Sequence, residues 1–302
     1  MAAPSIQSTA DISTSATPPP RRWRSPTSSS SRRTFRRIGK PKDIIIETPA
    51  ASSLSSGGGR SIAKAEKGNF GDIVRFGSAS TFAEGVFDDL KKWSEVLCGD
   101  LCEDTLTATT RVSAEVRDLS VNAKAPFTAK RINSGFTSKS AKGSGEPTIR
   151  LDDDTVVEGA ALGGHKIIVE INSKLFQRYD TLSKLRTAAD DPKFVRENGG
   201  SLFMKTPVTG RAVTSPSGRF VEAGGVVYGT IVQSIRWADK PYPGAVIDQN
   251  VITIPDCGEI YFGEIMISRL SRRLSMLRID YCCPAPMRMM CSEPEDNGGW
   301  PF

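Results

Sequence analysis

Two segments of the chain place apolar residues at the spacing of a helix. The first runs from Ser80 to Cys98, where the stripe is Phe82, Val86, Leu90, Trp93 and Leu97. Ser80 suits the N-terminal cap of such a helix, and Gly99 suits its end. The second segment begins after Asn172, another cap residue, and carries Leu175, Phe176, Tyr179, Leu182 and Leu185. The spacing therefore predicts two amphipathic helices that pack on a core.

Most of the other apolar patterns are typical of strands. Residues alternate over Thr107–Val121, Pro126–Ile132 is a suitable partner, and Gly163-Gly164 separates two further runs in a way that predicts a hairpin. Residues 134–147 are polar and contain Gly and Lys, so they are predicted to form a long exposed loop. The last third predicts a β-meander of four antiparallel strands: Gly225–Trp237, Val251–Ile254, Gly258–Ile267 and Leu274–Ile279.

This order of elements predicts an α+β, β-rich fold, an antiparallel sheet with two packed helices and a C-terminal β-meander. Residues 61–283 contain no clear linker and are expected to form a single α+β domain, with a division near residues 134–147 as the alternative. Residues 1–60 hold few large apolar side chains among runs of Pro, Ser and Gly, which predicts a disordered basic arm. Residues 284–302 predict an irregular C-terminal tail.

Charge is concentrated in the arm. Residues 1–42 hold nine basic side chains and one acid, Asp11, a charge of +8; the total of +6 therefore leaves −2 for residues 43–302. Seven of the nine are arginines, and Trp23 and Phe35 lie among them: Arg21, Arg22, Arg24, Arg32, Arg33, Arg36 and Arg37. Such a cluster is suited to neutralising the phosphates of nucleic acid or the charges of another polyanion.

Three interpretations of the arm stay open. A basic arm joined to a β domain is similar in layout to the coat proteins of some RNA viruses, although no coat-protein motif accompanies it. A segment rich in Arg and Ser and poor in acids is also typical of an organelle transit peptide, which would be removed after import. In the third interpretation the arm is a regulatory tail, since Ser25 lies between Arg24 and Pro26 and could be phosphorylated.

One acidic residue stands out in the predicted meander. By strand alternation Glu264 shares a face with Ile260, Phe262 and Met266, so its carboxylate would need a partner if that face is buried. The following strand offers three partners, and a buried ion pair is therefore predicted between Glu264 and one of Arg272, Arg273 and Arg278.

Catalytic and metal-binding patterns are weak. The single histidine, His165, follows the predicted turn, and no Gly-X-Ser-X-Gly or phosphate-binding glycine motif occurs. Cys98 and Cys102 have no second cysteine pair at zinc-ligand spacing, so no metal and no cofactor are predicted. Asp152, Asp154 and Glu158 would share a strand face and could together hold a hard cation or act as the carboxylates of an enzyme without histidine.

These features favour a non-catalytic interaction or structural protein whose arm contacts nucleic acid or another polyanion and whose β domain binds a partner or self-associates. The alternatives are an organelle-imported protein with a ligand-binding β domain, and an enzyme that uses Asp152, Asp154, Glu158 or Glu264. No run approaches the roughly 20 apolar residues of a membrane-spanning helix. A secretory signal is also missing, so a soluble, intracellular protein is expected, with import into an organelle as an alternative.

Overall fold

A computed structural model of the chain describes residues 6–10, 13–14, 50–54, 58–88, 107–141, 146–188, 191, 193–194, 204–205, 213–214, 220–221, 226–268, 271–282 and 287–296. These residues are mostly in strands, and the two helices with defined bounds, α1 (Leu175–Arg178) and α2 (Leu182–Ala188), are short. The β-rich α+β class predicted from the sequence is thereby confirmed.

The strands follow in this order: β1 (Ile6–Ala10), β2 (Ser13–Thr14), β3 (Ala50–Leu54), β4 (Gly59–Ala65), β5 (Gly68–Phe70), β6 (Val74–Phe76), β7 (Ser78–Phe87), β8 (Thr107–Val121), β9 (Phe127–Ala141), β10 (Thr148–Leu151), β11 (Val156–Glu158), β12 (Ala161–Leu162), β13 (His165–Ile171), β14 (Met204–Lys205), β15 (Val213–Thr214), β16 (Phe220–Val221), β17 (Val227–Thr230), β18 (Val232–Trp237), β19 (Val246–Asp248), β20 (Val251–Ile254), β21 (Gly258–Ile267), β22 (Arg272–Tyr281), β23 (Met287–Cys291) and β24 (Glu293–Asp296).

Two large antiparallel sheets contain nearly all of these strands. Sheet I has the order β18-β13-β12-β9-β8-β6-β5, with β7 joining β4 to β8, and with β10 and β11 paired to β9. Sheet II has the order β14-β17-β21-β22-β24-β1-β3, with β19, β20, β2 and β23 on side branches. Strands β15 and β16 pair only with each other in the described part of the chain.

The two sheets pack face to face over one apolar core. Its buried residues come from both sheets, and the rings of Phe127 in sheet I and Phe262 in sheet II lie 6.1 Å apart. Polar contacts also cross between the layers: the Tyr281 hydroxyl donates to the Ala125 carbonyl at 2.9 Å, and the Ser134 and Ser292 hydroxyls lie 2.6 Å apart. A two-layer sandwich of this kind buries the inner face of each sheet. In sheet II the other face of β22 is also buried, at Arg273, Ser275 and Arg278.

The predicted helix over Ser80–Cys98 is wrong where the structure describes that segment. Residues Ser78–Phe87 form β7, which pairs along its length with β4 and β8. Every second residue is buried, namely Ala79, Thr81 and Ala83, because small side chains fit between the two layers. Phe82 and Val86, the first members of the predicted helical stripe, occupy the opposite face, and the rest of the stripe lies outside the described residues.

The predicted exposed loop at residues 134–147 is also wrong in its first half. Strand β9 continues to Ala141, and its small polar residues Ser134, Ser138 and Ser140 are buried. Buried hydroxyls are tolerated where they find a partner, and Ser134 both meets the Ser292 hydroxyl and donates to the Ser292 carbonyl at 2.8 Å. The polarity at position 134 therefore reflects a serine–serine contact between the layers.

The predicted strand Gly225–Trp237 passes from one sheet to the other. Strand β17 pairs with β21 in sheet II, and β18 pairs with β13 in sheet I. Ile231 lies at the crossing, where its N–H donates to Gly263 and its carbonyl accepts from Asn172. Strands β20, β21 and β22 are the last three strands of the predicted meander, and β19 is an additional strand that pairs with β20. Strand β21 is central because it pairs with β17, β20 and β22.

The two short helices both come from the second predicted helix. Helix α1 is capped at Lys174, without a side-chain hydrogen bond, rather than at Asn172. The predicted hairpin is present: β12 and β13 pair around Gly163-Gly164, both of which have positive φ, as a tight two-residue turn requires.

Strands also occur outside the predicted domain limits of 61–283. Strands β1, β2 and β3 lie in the segment predicted as a disordered arm, and β23 and β24 lie in the segment predicted as an irregular tail. They pair with one another and with β22, so these short segments find partners that only the sandwich provides. Among the described residues, no helix has the length and apolar character that a membrane crossing requires.

Candidate functional site

The seven arm arginines, Arg21, Arg22, Arg24, Arg32, Arg33, Arg36 and Arg37, lie outside the described residues, as do Cys98 and Cys102. The described part of the chain contains three charged or polar groupings that bear on function. The first surrounds Arg278 in sheet II, the second surrounds Arg131 in sheet I, and the third surrounds Phe82 on the same outer face of sheet I.

Arg278 is the centre of the first grouping. Its Nε and Nη2 donate to the two carboxylate oxygens of Glu264, each at 2.8 Å, and its Nη1 donates to Asp280. The guanidinium also lies 3.5 Å from the centroid of the Tyr261 ring, and the Tyr261 hydroxyl donates to Glu259. The side chain of Arg278 is only 3% exposed, while that of Glu264 is 20% exposed. The arginine is thus enclosed by one aromatic ring and two carboxylates.

The electrostatics of this grouping are those of a fixed ion pair. Burial by itself would lower the pKa of Arg278, but the carboxylates of Glu264 and Asp280 outweigh it and raise that pKa. Burial raises the pKa of the Tyr261 hydroxyl well above its usual value, so the phenol stays protonated near neutral pH. Neither group can therefore exchange a proton in the physiological range, which fits a structural role.

The face occupied by Glu264 differs from the one that alternation predicts. Gly263 has φ +60°, and a Cβ there would lie within 2.9 Å of side-chain atoms of Ile231 and Val232. Gly263 and its counterpart Met276 interrupt the pairing of β21 with β22, so the alternation shifts by one residue. Glu264 accordingly lies with Tyr261 on the outer face, whereas Phe262 points into the core.

The other two candidate partners of Glu264 lie elsewhere. Arg272 is buried between the layers and pairs with Asp296 at 3.3 Å. Burial lowers the pKa of Arg272, and Asp296 only partly offsets this effect. Arg273 is also buried and lies opposite Met266 in register. Both arginines line a small cavity between the layers with Phe136, Phe176 and neighbouring apolar side chains.

The second grouping contains carboxylates that the sequence predicts as possible ligands of a cation. Arg131 lies 2.5 Å from Glu115, 3.4 Å from Asp154 and 3.5 Å from Glu158. Burial acts to raise the pKa of Glu115, but hydrogen bonds and charge from Arg117 and Arg131 outweigh it and lower the pKa. These acids are tied to arginines, and among the described residues no group of three His, Cys, Asp or Glu side chains could hold a metal ion.

Asp152 is separate from that grouping. It is bonded by Arg111 at 3.1 Å and by the Thr137 hydroxyl at 3.3 Å. Burial raises the pKa of Asp152, and the Arg111 charge offsets the effect only in part. His165 likewise has a simple environment, in which Nδ1 lies 3.0 Å from the Lys240 carbonyl and the ring meets Tyr242 edge-on.

The third grouping was not predicted from the sequence. The Phe82 ring lies on the outer face of β7, outside the apolar core, with the guanidinium carbons of Arg60 and Arg111 at 5.2 Å and 5.9 Å from its centroid. Ile62 and Val86 flank it on the same face, with 51% and 54% of their surfaces exposed. The alternation of small and large residues in Ser78–Phe87 is the sequence signal that indicates this strand, and the helical spacing of Phe82 and Val86 obscures it.

Basic residues border this strip. Lys64 and Lys139 are exposed on the same face, and neither forms an ion pair with any described residue. A shallow groove of about 690 Å³ adjoins the strip along β4 and β7; it is lined by residues 64–67, which include two lysines and Glu66, and by residues 77–80. An aromatic ring, aliphatic side chains and cations without an ion pair to any described residue are thus brought together on one sheet face.

Comparison with known proteins identifies one family. No curated protein and no solved structure matches the chain. Residues 36–268, more than half of the sequence, match a family model described as a domain of unknown function, DUF8256. The match covers all of sheet I and the meander up to β21. The chain therefore belongs to the DUF8256 family.

Proposed function

We propose that this is a non-catalytic binding protein whose basic N-terminal arm contacts nucleic acid or another polyanion. The observation that carries the proposal is the separation of charge: +8 in residues 1–42 against −2 in the remaining 260 residues. Arginines in such density neutralise phosphates without needing a defined conformation. The β domain then serves as a scaffold that binds a partner or self-associates.

The environments of the candidate catalytic carboxylates favour binding over catalysis. Glu264 is held in a bidentate contact with Arg278, and Asp154 and Glu158 both face Arg131. A carboxylate engaged in this way stabilises an arginine and is poorly placed to accept a proton from a substrate. The enzyme alternative therefore has less support than the binding proposal.

The experiment compares three full-length proteins in a fluorescence anisotropy titration with a labelled oligonucleotide. These are the wild type, a variant with all seven arm arginines replaced by Gln, and a control with the same arginines replaced by Lys. The logarithm of the association constant should fall linearly with the logarithm of salt, by about 0.7 per neutralised phosphate of a single strand. We expect the Gln variant to lose several such contacts and the Lys control to keep them. Equal affinity and equal salt dependence of all three proteins would refute the proposal.

The location of the protein is a separate question. We expect a soluble, intracellular protein, and the composition of the arm equally supports import into an organelle followed by its removal. The intact mass of the protein from its native source separates the two. A chain that begins at Met1 or Ala2 retains the arginines, whereas one that begins between about residues 40 and 65 has lost them, which would contradict polyanion binding by the mature protein.

A further inference from the structure

The outer face of sheet I carries apolar surface that the fold does not use. Ile62 and Phe82 are opposite each other in the pairing of β4 with β7, and Val86 lies four residues further along β7. None of the three belongs to the core or packs against it. Large apolar side chains on a solvent-facing sheet do not stabilise the fold through burial, so a contiguous strip of them points to a binding surface.

The charges around the strip fit an anion. Arg60 and Arg111 flank the Phe82 ring, and Asp152 holds Arg111 in place at 3.1 Å. Lys64, Lys139 and Arg60 make no ion pair with described residues, so their charges are available to a ligand. The acids nearest the strip on the same face are Glu84, opposite both arginines in register, Asp152, which Arg111 bonds, and Glu115, which Arg117 and Arg131 bond. Among the groups that form no ion pair with a described residue, the cations Arg60, Lys64 and Lys139 outnumber the acid Glu84 by two.

We infer that this face binds single-stranded nucleic acid, with a base stacked on the Phe82 ring and the adjacent phosphates near Arg60, Lys64 and Lys139. This inference rests on the proposed function, of which it names the ligand class. A sheet face with a partly exposed aromatic ring between cations offers both contacts that an unpaired nucleotide makes, stacking of its base and neutralisation of its phosphate. A duplex offers only the phosphates, because its bases are stacked on one another.

The experiment uses full-length protein and three labelled ligands of about 20 nucleotides: an oligothymidylate, an abasic strand with the same phosphates, and a duplex. The test variant is Phe82→Ala, and the matched control is Val86→Ala, which removes exposed apolar surface from the same strand face without removing a ring. We expect Phe82→Ala to weaken binding of the oligothymidylate at least about fivefold, the lower end for loss of one stacking aromatic. Binding of the abasic strand and the duplex should be unchanged, and Val86→Ala should bind all three as the wild type does.

Two further measurements keep the outcome interpretable. Because Phe82 lies outside the core, the thermal midpoint of Phe82→Ala should stay near that of the wild type. If that midpoint falls, Phe82→Leu provides a second variant, because it retains the apolar volume without the flat ring. Phe82→Leu should show the same loss of oligothymidylate binding. Stacking releases no counterions, so the salt dependence should be the same in Phe82→Ala and wild type, whereas the arm variant should change it.

The results that overturn the inference are distinct from those that overturn the proposed function. If Phe82→Ala and Phe82→Leu both bind the oligothymidylate like the wild type, or if the wild type binds the abasic strand as tightly as the oligothymidylate, no base stacks on this ring. Salt-dependent binding through the arm would still stand in that case. If the wild type binds none of the three ligands, both proposals are wrong.

Discussion

Replacing Arg278 by Met should destabilise the fold strongly, because the guanidinium holds together groups from two strands. The substitution keeps an unbranched side chain but removes the bidentate contact with Glu264, the bond to Asp280 and the stacking on Tyr261. Removing one partner of a buried pair costs about 3–5 kcal/mol. Because Glu264 retains some contact with water, at 20% exposure, we expect the lower end of that range, about 3 kcal/mol.

Substitution of the other partner, Glu264, should lower the free energy of unfolding by less. Glu264→Gln removes a charge but leaves Arg278 its bond to Asp280, and the Gln oxygen can still accept one hydrogen bond. The expected loss is about 1.5–3 kcal/mol, the range for a hydrogen bond to a charged group. The full cost of breaking a buried pair, about 3–5 kcal/mol, would apply only if Asp280 did not share the arginine.

Urea unfolding followed by tryptophan fluorescence measures both effects. A suitable control is Arg236→Met, which breaks an exposed pair with Glu170 at 3.4 Å and should cost no more than about 1 kcal/mol. The expected order of losses is Arg278→Met, then Glu264→Gln, then Arg236→Met. If Arg278→Met unfolds at the same urea concentration as Arg236→Met, the grouping around Arg278 contributes nothing beyond a surface ion pair, and the reasoning fails.

Two matched pairs of substitutions test other parts of the fold. The folded state raises the pKa of Asp152, so the ionised carboxylate lowers the stability of the fold above about pH 4. Asp152→Asn should therefore raise the urea midpoint at about pH 7 and give no gain at about pH 3. The folded state lowers the pKa of Glu115, so Glu115→Gln should lose stability at about pH 7, and this loss should fade as the pH falls. Equal behaviour of the two variants would contradict both assignments. Tyr281→Phe should lower the free energy of unfolding by about 1–3 kcal/mol in the same assay, since it leaves the buried Ala125 carbonyl without its donor. Tyr228→Phe should cost nothing, because the Tyr228 hydroxyl has no hydrogen-bond partner among the described residues. Burial raises the pKa of this hydroxyl to about 12, so no charge is lost with it near neutral pH. Similar losses in both phenylalanine variants would show that the Tyr281 bond is not the cause.

Strand alternation predicted much of the sandwich and failed where the strands themselves change face. It identified β8, β13 and the strands of the meander, because each carries apolar residues at every second position or in a continuous run. Strand alternation assigned Glu264 to the wrong face because the left-handed conformation of Gly263 shifts the alternation by one residue. A glycine within a strand does not by itself indicate such a shift. The same shift occurs in sheet I, where Asp118, with φ +52°, interrupts the pairing of β8 with β9.

Buried polarity was a second source of error. The predicted exposed loop includes Ser134, Ser138 and Ser140, because serine is usually found at the surface, and all three are buried. The partner of the Ser134 hydroxyl is Ser292, which is 158 residues away along the chain. No local pattern encodes that pairing, so only the assembled sandwich reveals why position 134 is polar.

The misassigned helix and the inferred binding face have a common origin. The helical prediction for Phe82 and Val86 depends on the premise that large apolar residues at helical spacing form part of a core. In the structure Ala79, Thr81 and Ala83 fill the core instead, and replacing Phe82 or Val86 by a polar residue would leave that packing intact. Folding therefore does not account for an aromatic ring at position 82, between two arginines and on the same face as two lysines that form no ion pair with a described residue. A ligand with a flat apolar face and a negative charge accounts for all of these side chains together, which is why the Phe82 substitution is the most informative one on this surface.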